Sequence, residues 1–276
     1  MKIECRICPH HCKLEEEQLG ICHGRVNRGG QVISENYGKL TALALDPIEK
    51  KPLYHFYPGS KILSVGSYGC NLNCPFCQNC EISMVGAAGT TTQVTSCEEL
   101  VEKALIARSR GNIGIAYTYN EPLIGYEFVR DCAEVAKSRG LKNVVVSNGY
   151  ICREPLLELL PFVDAFNIDL KGFTEEFYHR LRGDLSTVKQ SIELAVTQCH
   201  VEVTTLIIPG ENDTDEEMEA LSTWLSRLSP DIPLHISRFF PSWKYQDRSA
   251  TEVSKVFQLA KIARRKLKYV YEGNVN

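Results

Sequence analysis

The loop Gly69-Cys70-Asn71-Leu72-Asn73-Cys74-Pro75-Phe76-Cys77-Gln78-Asn79 places three thiols at C-x3-C-x2-C spacing. Three closely spaced thiolates can occupy three irons of a 4Fe–4S cube and leave the fourth open to an external ligand. A four-cysteine zinc or electron-transfer site would instead close its coordination shell. An open iron is a place for chemistry. Cys80 extends the run to C-x3-C-x2-C-x2-C and is a competing fourth thiol. Three ligands and a bystander is the expected arrangement, because it accounts for polar residues at strand ends further along the chain and full ligation does not.

A second set, Cys5, Cys8, Cys12 and Cys22, has C-x2-C-x3-C-x9-C spacing, with His10, His11 and His23 as neighbouring substitutes. Four thiolates suit structural zinc and equally an auxiliary 4Fe–4S cluster, since spacing does not distinguish the two. The competing reading is four free thiols in a loop. Cys97, Cys132, Cys152 and Cys199 are scattered and read as packing residues. The N-terminus has no apolar signal-peptide core, and no stretch approaches the roughly 18 apolar residues of a membrane span. A cytoplasmic, reducing location is therefore expected, where clustered cysteines more often hold metal than bridge each other.

The elements that must position these residues follow from periodicity. Apolar runs at Ile62–Ser67, Ile113–Tyr119, Asn143–Ser147, Ala165–Leu170, Val201–Ile208 and Leu234–Phe239 read as strands. They alternate with helical patterns at Glu98–Arg110, Leu123–Arg139, Glu154–Leu160, Val188–Gln198, Glu216–Leu228 and Glu252–Lys266. Six βα units imply a parallel sheet, as an open barrel or a doubly wound sheet. The chain of 276 residues is long enough for one such core with an appendage. Residues 1–60, dense in cysteine, read as a separate lobe, and residues 61–276 as the α/β unit. With 31 basic and 34 acidic residues and a net charge of -3, nothing electrostatic favours nucleic acid. The basic run Lys261–Lys268 reads as a solvated helix face.

The Cys70 loop directly follows the first strand, and loops at strand C-termini form the functional face of such folds. Glu121 ends the second strand, where its carboxylate can accept hydrogen bonds from an ammonium, although a loop glutamate before a helix-starting proline is a common arrangement. Asn167, Asp169 and Lys171 alternate and share one face of the fourth strand. Ser147-Asn148-Gly149 follows the third strand, where a plain turn is the alternative.

The Cys70–Asn79 loop resembles the defining motif of the radical S-adenosylmethionine superfamily, in the branch that includes pyruvate formate-lyase activating enzymes. The stretch Leu45-Asp-Pro-Ile-Glu-Lys-Lys-Pro-Leu-Tyr-His-Phe56 and the N-terminal cysteine pattern resemble the radical enzyme of the AmmeMemoRadiSam group. The resemblance implies a partial (β/α)6 TIM-type barrel with a small cysteine-rich N-terminal lobe. It also implies a 4Fe–4S cluster on Cys70, Cys74 and Cys77 whose open iron is chelated by S-adenosylmethionine, with one electron then releasing methionine and a 5'-deoxyadenosyl radical. By the same resemblance Asn120 and Glu121 match the polar positions of a Gly-Gly-Glu-Pro segment, whose two glycines are absent here. Asp169 and Lys171 match a segment near the methionine moiety, and Asn148 a ribose contact. Phe76, Ile207 and Pro209 match adenine surroundings, and His235 matches a histidine approaching the cofactor, with Arg238 next to it for an anionic substrate. Cys80 stands where relatives carry an aromatic residue.

Three functions compete on this reading. The first installs a glycyl radical on a partner protein, fed by a flavodoxin- or ferredoxin-type donor. The second is radical modification of a small molecule or peptide. The third is a non-catalytic iron–sulfur redox protein. No nucleic-acid or membrane partner is expected.

Overall fold

The six expected strands form, and the sheet adds one more at each edge. The structure is a computed structural model that describes residues 2–275; Met1 and Asn276, the outer ends of the two expected segments, lie outside the described residues. The strands are β1 (Ala42–Pro47), β2 (Lys61–Gly66), β3 (Asn112–Tyr117), β4 (Lys142–Ser147), β5 (Ala165–Asp169), β6 (His200–Ile207), β7 (Leu234–Arg238) and β8 (Val270–Gly273). They lie in the order β8-β7-β6-β5-β4-β3-β2-β1. From β2 to β8 every pair is parallel, whereas β1 runs antiparallel to β2. This is a partial α/β barrel, with its wall open between β8 and β1.

The two extra strands escaped periodicity for local reasons. β1 carries Asp46 and ends in Pro47, both poor strand formers, and a proline is tolerated there because β1 is an edge. β8 spans only four residues. Seven helices make the crossovers: α1 (Cys97–Ile106), α2 (Tyr126–Ser138), α3 (Arg153–Leu159), α4 (Glu175–Arg180), α5 (Leu185–Ala195), α6 (Asp215–Leu228) and α7 (Val253–Ala263). Helix α4 was not expected from the sequence, being too short for an apolar period to register. Thr174 starts it by accepting from the Phe177 amide at 3.2 Å. The basic run beyond α7 is a turn rather than a continuous helix face. Three of its charges are paired, Arg264 with Glu272 at 2.6 Å, Lys266 with Glu219 at 3.1 Å and Lys268 with Asp231 at 2.8 Å.

Alternation along each strand divides the interior into two layers. Leu63, Val65, Ile115, Tyr117, Val145, Phe166, Ile168, Val203 and Ile236 join the helices in the large core. The opposite faces supply Ile62, Ala116, Val144 and Ala165, which pack on Ile48, Leu53 and Phe56 to close the floor of the barrel. Above that floor the inner face turns polar. Asn167 donates to the Pro52 carbonyl at 2.8 Å and accepts from Thr204 at 3.0 Å. Glu202 is fully buried and meets four donors, the Tyr54 and His55 amides and the rings of His200 and His235.

The N-terminal segment is built from short pairings, Ile3–Glu4 with Lys13–Leu14 and Arg25–Arg28 with Gln31–Ser34. It seats against the three-cysteine loop, where the Cys70 amide donates to the Cys22 carbonyl at 3.1 Å. Gly69 makes this approach possible. Its φ is +88°, and a Cβ there would lie 2.3 Å from the Cys22 carbonyl oxygen. Among the described residues no helix is long and apolar enough to cross a membrane.

Candidate active site

The strand C-termini open into a cavity of about 560 Å³, to which Cys70, Cys74, Cys77, Phe76, Asn120, Glu121, Asn148, Asp169, Lys171 and His235 contribute. The three cysteines of the loop therefore meet at one place with seven of the polar and aromatic residues expected around S-adenosylmethionine. Cys80 does not line it and instead begins the short helical turn Cys80–Ser83.

The loop is held from several sides. The Cys77 amide donates to the Cys74 carbonyl at 3.1 Å, and Ser242 caps the Cys77 carbonyl at 3.1 Å. The Asn73 amide donates to the Leu181 carbonyl, and the Lys244 amide to the Pro75 carbonyl. Cys70 Sγ lies 3.4 Å from the Leu72 amide and 3.7 Å from the Asn148 side-chain nitrogen. Such N–H donors favour a thiolate, and so fit an iron-bound sulfur. Burial pushes all three thiols up, Cys74 to about 12. Iron ligation is what would deprotonate them, so binding releases protons. The donor set fits a three-cysteine cluster.

Asn120 lines the cavity with its side-chain amide engaged. Its oxygen accepts from the Ser67 amide at 2.9 Å, and its nitrogen donates to the Tyr68, Gly69 and Glu121 carbonyls at 3.1–3.2 Å. With both ends engaged on the backbone leading into Cys70, it positions the loop. Asn148 is engaged likewise, donating to the Asn71 side chain at 2.9 Å and accepting from the Tyr150 amide at 2.8 Å. It faces the cysteine loop rather than standing free.

Glu121 is buried and takes three donors, the Leu123 amide at 3.0 Å, the Ser147 hydroxyl at 2.8 Å and the Asn148 amide at 2.7 Å. Both sequence readings meet here, because the side chain caps the turn begun by Pro122 and also lines the cavity. Burial pushes its carboxyl up to about 7, against the pull of those donors and of Lys171. Lys171 pairs with Asp169 at 2.7 Å. Burial works against its charge, but Asp169 prevails and holds the ammonium above its ordinary range.

His235 lines the cavity, but its Nε2 is paired with Glu202 at 2.6 Å and its ring stacks on Tyr271. Its ring nitrogen belongs to the polar layer over the floor. Arg238 donates from Nε to the Thr251 carbonyl at 2.7 Å and covers the Phe240 ring, outside the cavity lining. Phe76 is buried in the lining and stacks on Phe177 at 6.2 Å.

Ile207 is one position out of register. On β6 Thr204 and Leu206 line the cavity, so Ile207 faces the helices, where it is fully buried. Pro209 does not reach the lining either. Ile207→Val is expected to cost about 0.5–1.5 kcal/mol of stability and to leave cofactor affinity unchanged. Denaturant titration and equilibrium binding check the two halves separately. Leu206 and Thr204 were missed in the sequence; strand alternation counted from Asp169, whose register partner is Thr204, would have found them. Lys51 and Tyr54 also line the cavity, and both lie in the Leu45–Phe56 stretch.

The family model of the Radical SAM superfamily matches residues 64–225. An uncharacterized protein of Methanocaldococcus jannaschii, MJ0808, is 41% identical over 279 residues, 99% of this chain and 82% of its own length. The pyruvate formate-lyase 1-activating enzyme of Escherichia coli is 26% identical over 157 residues, 55% of this chain and 63% of its own length. Among solved structures, Streptococcus suis SuiB bound to the precursor peptide SuiA superposes with a TM-score of 0.58 at 12% identity, over 83% of this chain and 52% of its own. A domain of a pyruvate-formate lyase-activating enzyme from Bacteroides vulgatus gives 0.50 at 18% identity, over 58% and 99%. These two likenesses speak for the fold alone. The family model, which covers residues 64–225 and with them the cysteine loop and more than half of the chain, carries more, and by it the chain belongs to the radical SAM superfamily, with that family's 4Fe–4S cluster and S-adenosylmethionine as its cofactors.

Proposed function

We propose that the chain cleaves S-adenosylmethionine reductively at a cluster held by Cys70, Cys74 and Cys77, in order to activate a glycyl radical enzyme. When bound, the cluster and S-adenosylmethionine supply a one-electron cleavage that yields methionine and a 5'-deoxyadenosyl radical for hydrogen abstraction. The observation that carries the reading is the meeting, in one cavity, of these three sulfurs with Glu121, Asp169 and Lys171, while Cys80 stays out of the lining. Opposite charges side by side suit an amino-acid moiety. Lys171 answers its carboxylate, and Glu121 or Asp169 its ammonium. Phe76 is buried in the lining beside the sulfurs; a primary carbon radical takes hydrogen from almost any nearby C–H group, so the site must present the intended donor and hold others away.

The activating-enzyme relatives favour a glycyl residue on a partner protein as the target, over a small molecule or a peptide. A flavodoxin- or ferredoxin-type donor in the cytoplasm is proposed as the electron source. The division into a cysteine-rich lobe, residues 1–60, and a barrel, residues 61–276, is proposed with it, β1 being the lobe's contribution to the barrel sheet.

The test is the electron paramagnetic resonance of the reduced cluster with and without S-adenosylmethionine. Direct coordination shifts the signal. An unchanged signal would favour a fully ligated electron carrier and end the proposal. Lys171→Ala is expected to weaken S-adenosylmethionine binding about 10–100-fold, the effect of removing a charge-assisted hydrogen bond of roughly 1.5–3 kcal/mol, as read by equilibrium dialysis.

A further inference from the structure

We infer that Cys5, Cys8, Cys12 and Cys22 hold a second iron–sulfur cluster, with Arg25 as its buried counter-cation. The four side chains come from two stretches of chain and border one small void, which Arg25 and Ile124 also line. All four are free thiols. The backbone gathers them, with the Cys5 amide donating to the Cys12 carbonyl at 2.9 Å and the His11 amide to the Cys8 carbonyl at 3.1 Å. The surrounding strands are only two to four residues long, too little regular structure to stabilise such a lobe by burial alone.

Arg25 points to what fills the void. It is 3% exposed. Its terminal nitrogens are engaged, Nη1 with Glu127 at 2.5 Å and the Ile124 carbonyl at 3.3 Å, and Nη2 with the Val32 carbonyl at 3.2 Å. Its Nε, however, is buried without a hydrogen-bond partner. An unpaired buried donor on a cation is costly unless an acceptor meets it. The void has no carboxylate in its lining, and thiolate or sulfide sulfur is the acceptor that the cysteines imply.

Zinc and an iron–sulfur cube ask for different sulfur spacings. Zinc holds each sulfur about 2.3 Å away, which puts tetrahedral thiolates roughly 3.8 Å apart. Among the described residues no three metal-binding side chains are gathered tightly enough to hold one ion. That holds equally for Cys70, Cys74 and Cys77, in a family whose cofactor is a cube of iron and sulfide. Neither set is gathered for one ion, and the Cys70 set is the one that this family fills with a cube. The two sites also touch, through the hydrogen bond from the Cys70 amide to the Cys22 carbonyl.

The test uses the full chain, reconstituted anaerobically with ferrous iron and sulfide, desalted, and assayed for iron, sulfide and zinc. Wild type is expected to hold about eight irons and the Cys70→Ser/Cys74→Ser/Cys77→Ser variant about four, with matching sulfide. Adding Cys5→Ser and Cys22→Ser to that variant should remove the remainder. Four irons in wild type and none in the triple variant would overturn the inference, as would one zinc without sulfide in the triple variant. The wild-type count decides the matter even where a variant folds poorly. A wild type with eight irons that yields no 5'-deoxyadenosine would sink the proposed catalysis and leave the second cluster standing.

Discussion

Cys74→Ala is expected to abolish 5'-deoxyadenosine formation from S-adenosylmethionine and dithionite under anaerobic conditions. Cys74 is buried beside Lys171 in the cavity wall, and two remaining thiolates cannot hold a cube with a single open iron. Loss of an outer-sphere partner typically costs 10–100-fold, and loss of a direct ligand should exceed about 100-fold. Cys80→Ala is the matched control, because its side chain lies outside the lining. It should keep the cluster and the activity. Equal product from wild type and Cys74→Ala would remove this residue from the site.

Glu202→Ala is expected to be the most destabilising single change in the barrel, at about 3–5 kcal/mol by urea unfolding. The carboxylate is fully buried, and four donors converge on it, the His55 amide at 2.7 Å, the Tyr54 amide at 3.0 Å, His200 at 2.9 Å and His235 at 2.6 Å. Removing it takes the acceptor from all four and leaves His235 stranded inside the protein. Burial tends to raise this carboxyl, yet the donors overcome it and bring it down to about 2. A carboxylate depressed in the folded state stabilises fully above its unfolded value, roughly 4.3, and the contribution fades as pH falls from there toward 2. Other depressed carboxylates fade with it, so the readout is a difference. Between pH 4.5 and 2 wild type should lose stability faster than Glu202→Gln, and parallel curves would refute the assignment.

The barrel was legible because β-branched runs and amphipathic helices alternate from Ile62 onward without interruption. The inner polar layer was not. Glu202 gains its meaning from partners far along the chain, and nothing in the local pattern marks it as the hub joining His235 to Tyr54. The cysteine loop and Glu121 were readable from type and position at strand ends. Asn120 is tied to the backbone leading into the loop and Asn148 to the Asn71 side chain, a distinction set by side-chain direction that spacing does not carry. Ile207 shows how a slip of one residue exchanges the two faces of a strand, making Leu206 the lining residue.

The segment that closes the barrel floor has a consequence for assembly. Tyr54 and His55 bond to Glu202 across sequence separations of 148 and 147, and His55 reaches Tyr271 across 216. During synthesis these early residues have no partner until most of the polypeptide has left the ribosome. Contacts of such range carry a large loop-closure penalty and slow the search. Sealing the floor should therefore be a late folding event. Pulse-labelled hydrogen exchange should find the amides of Tyr54 and His55 among the last to gain protection.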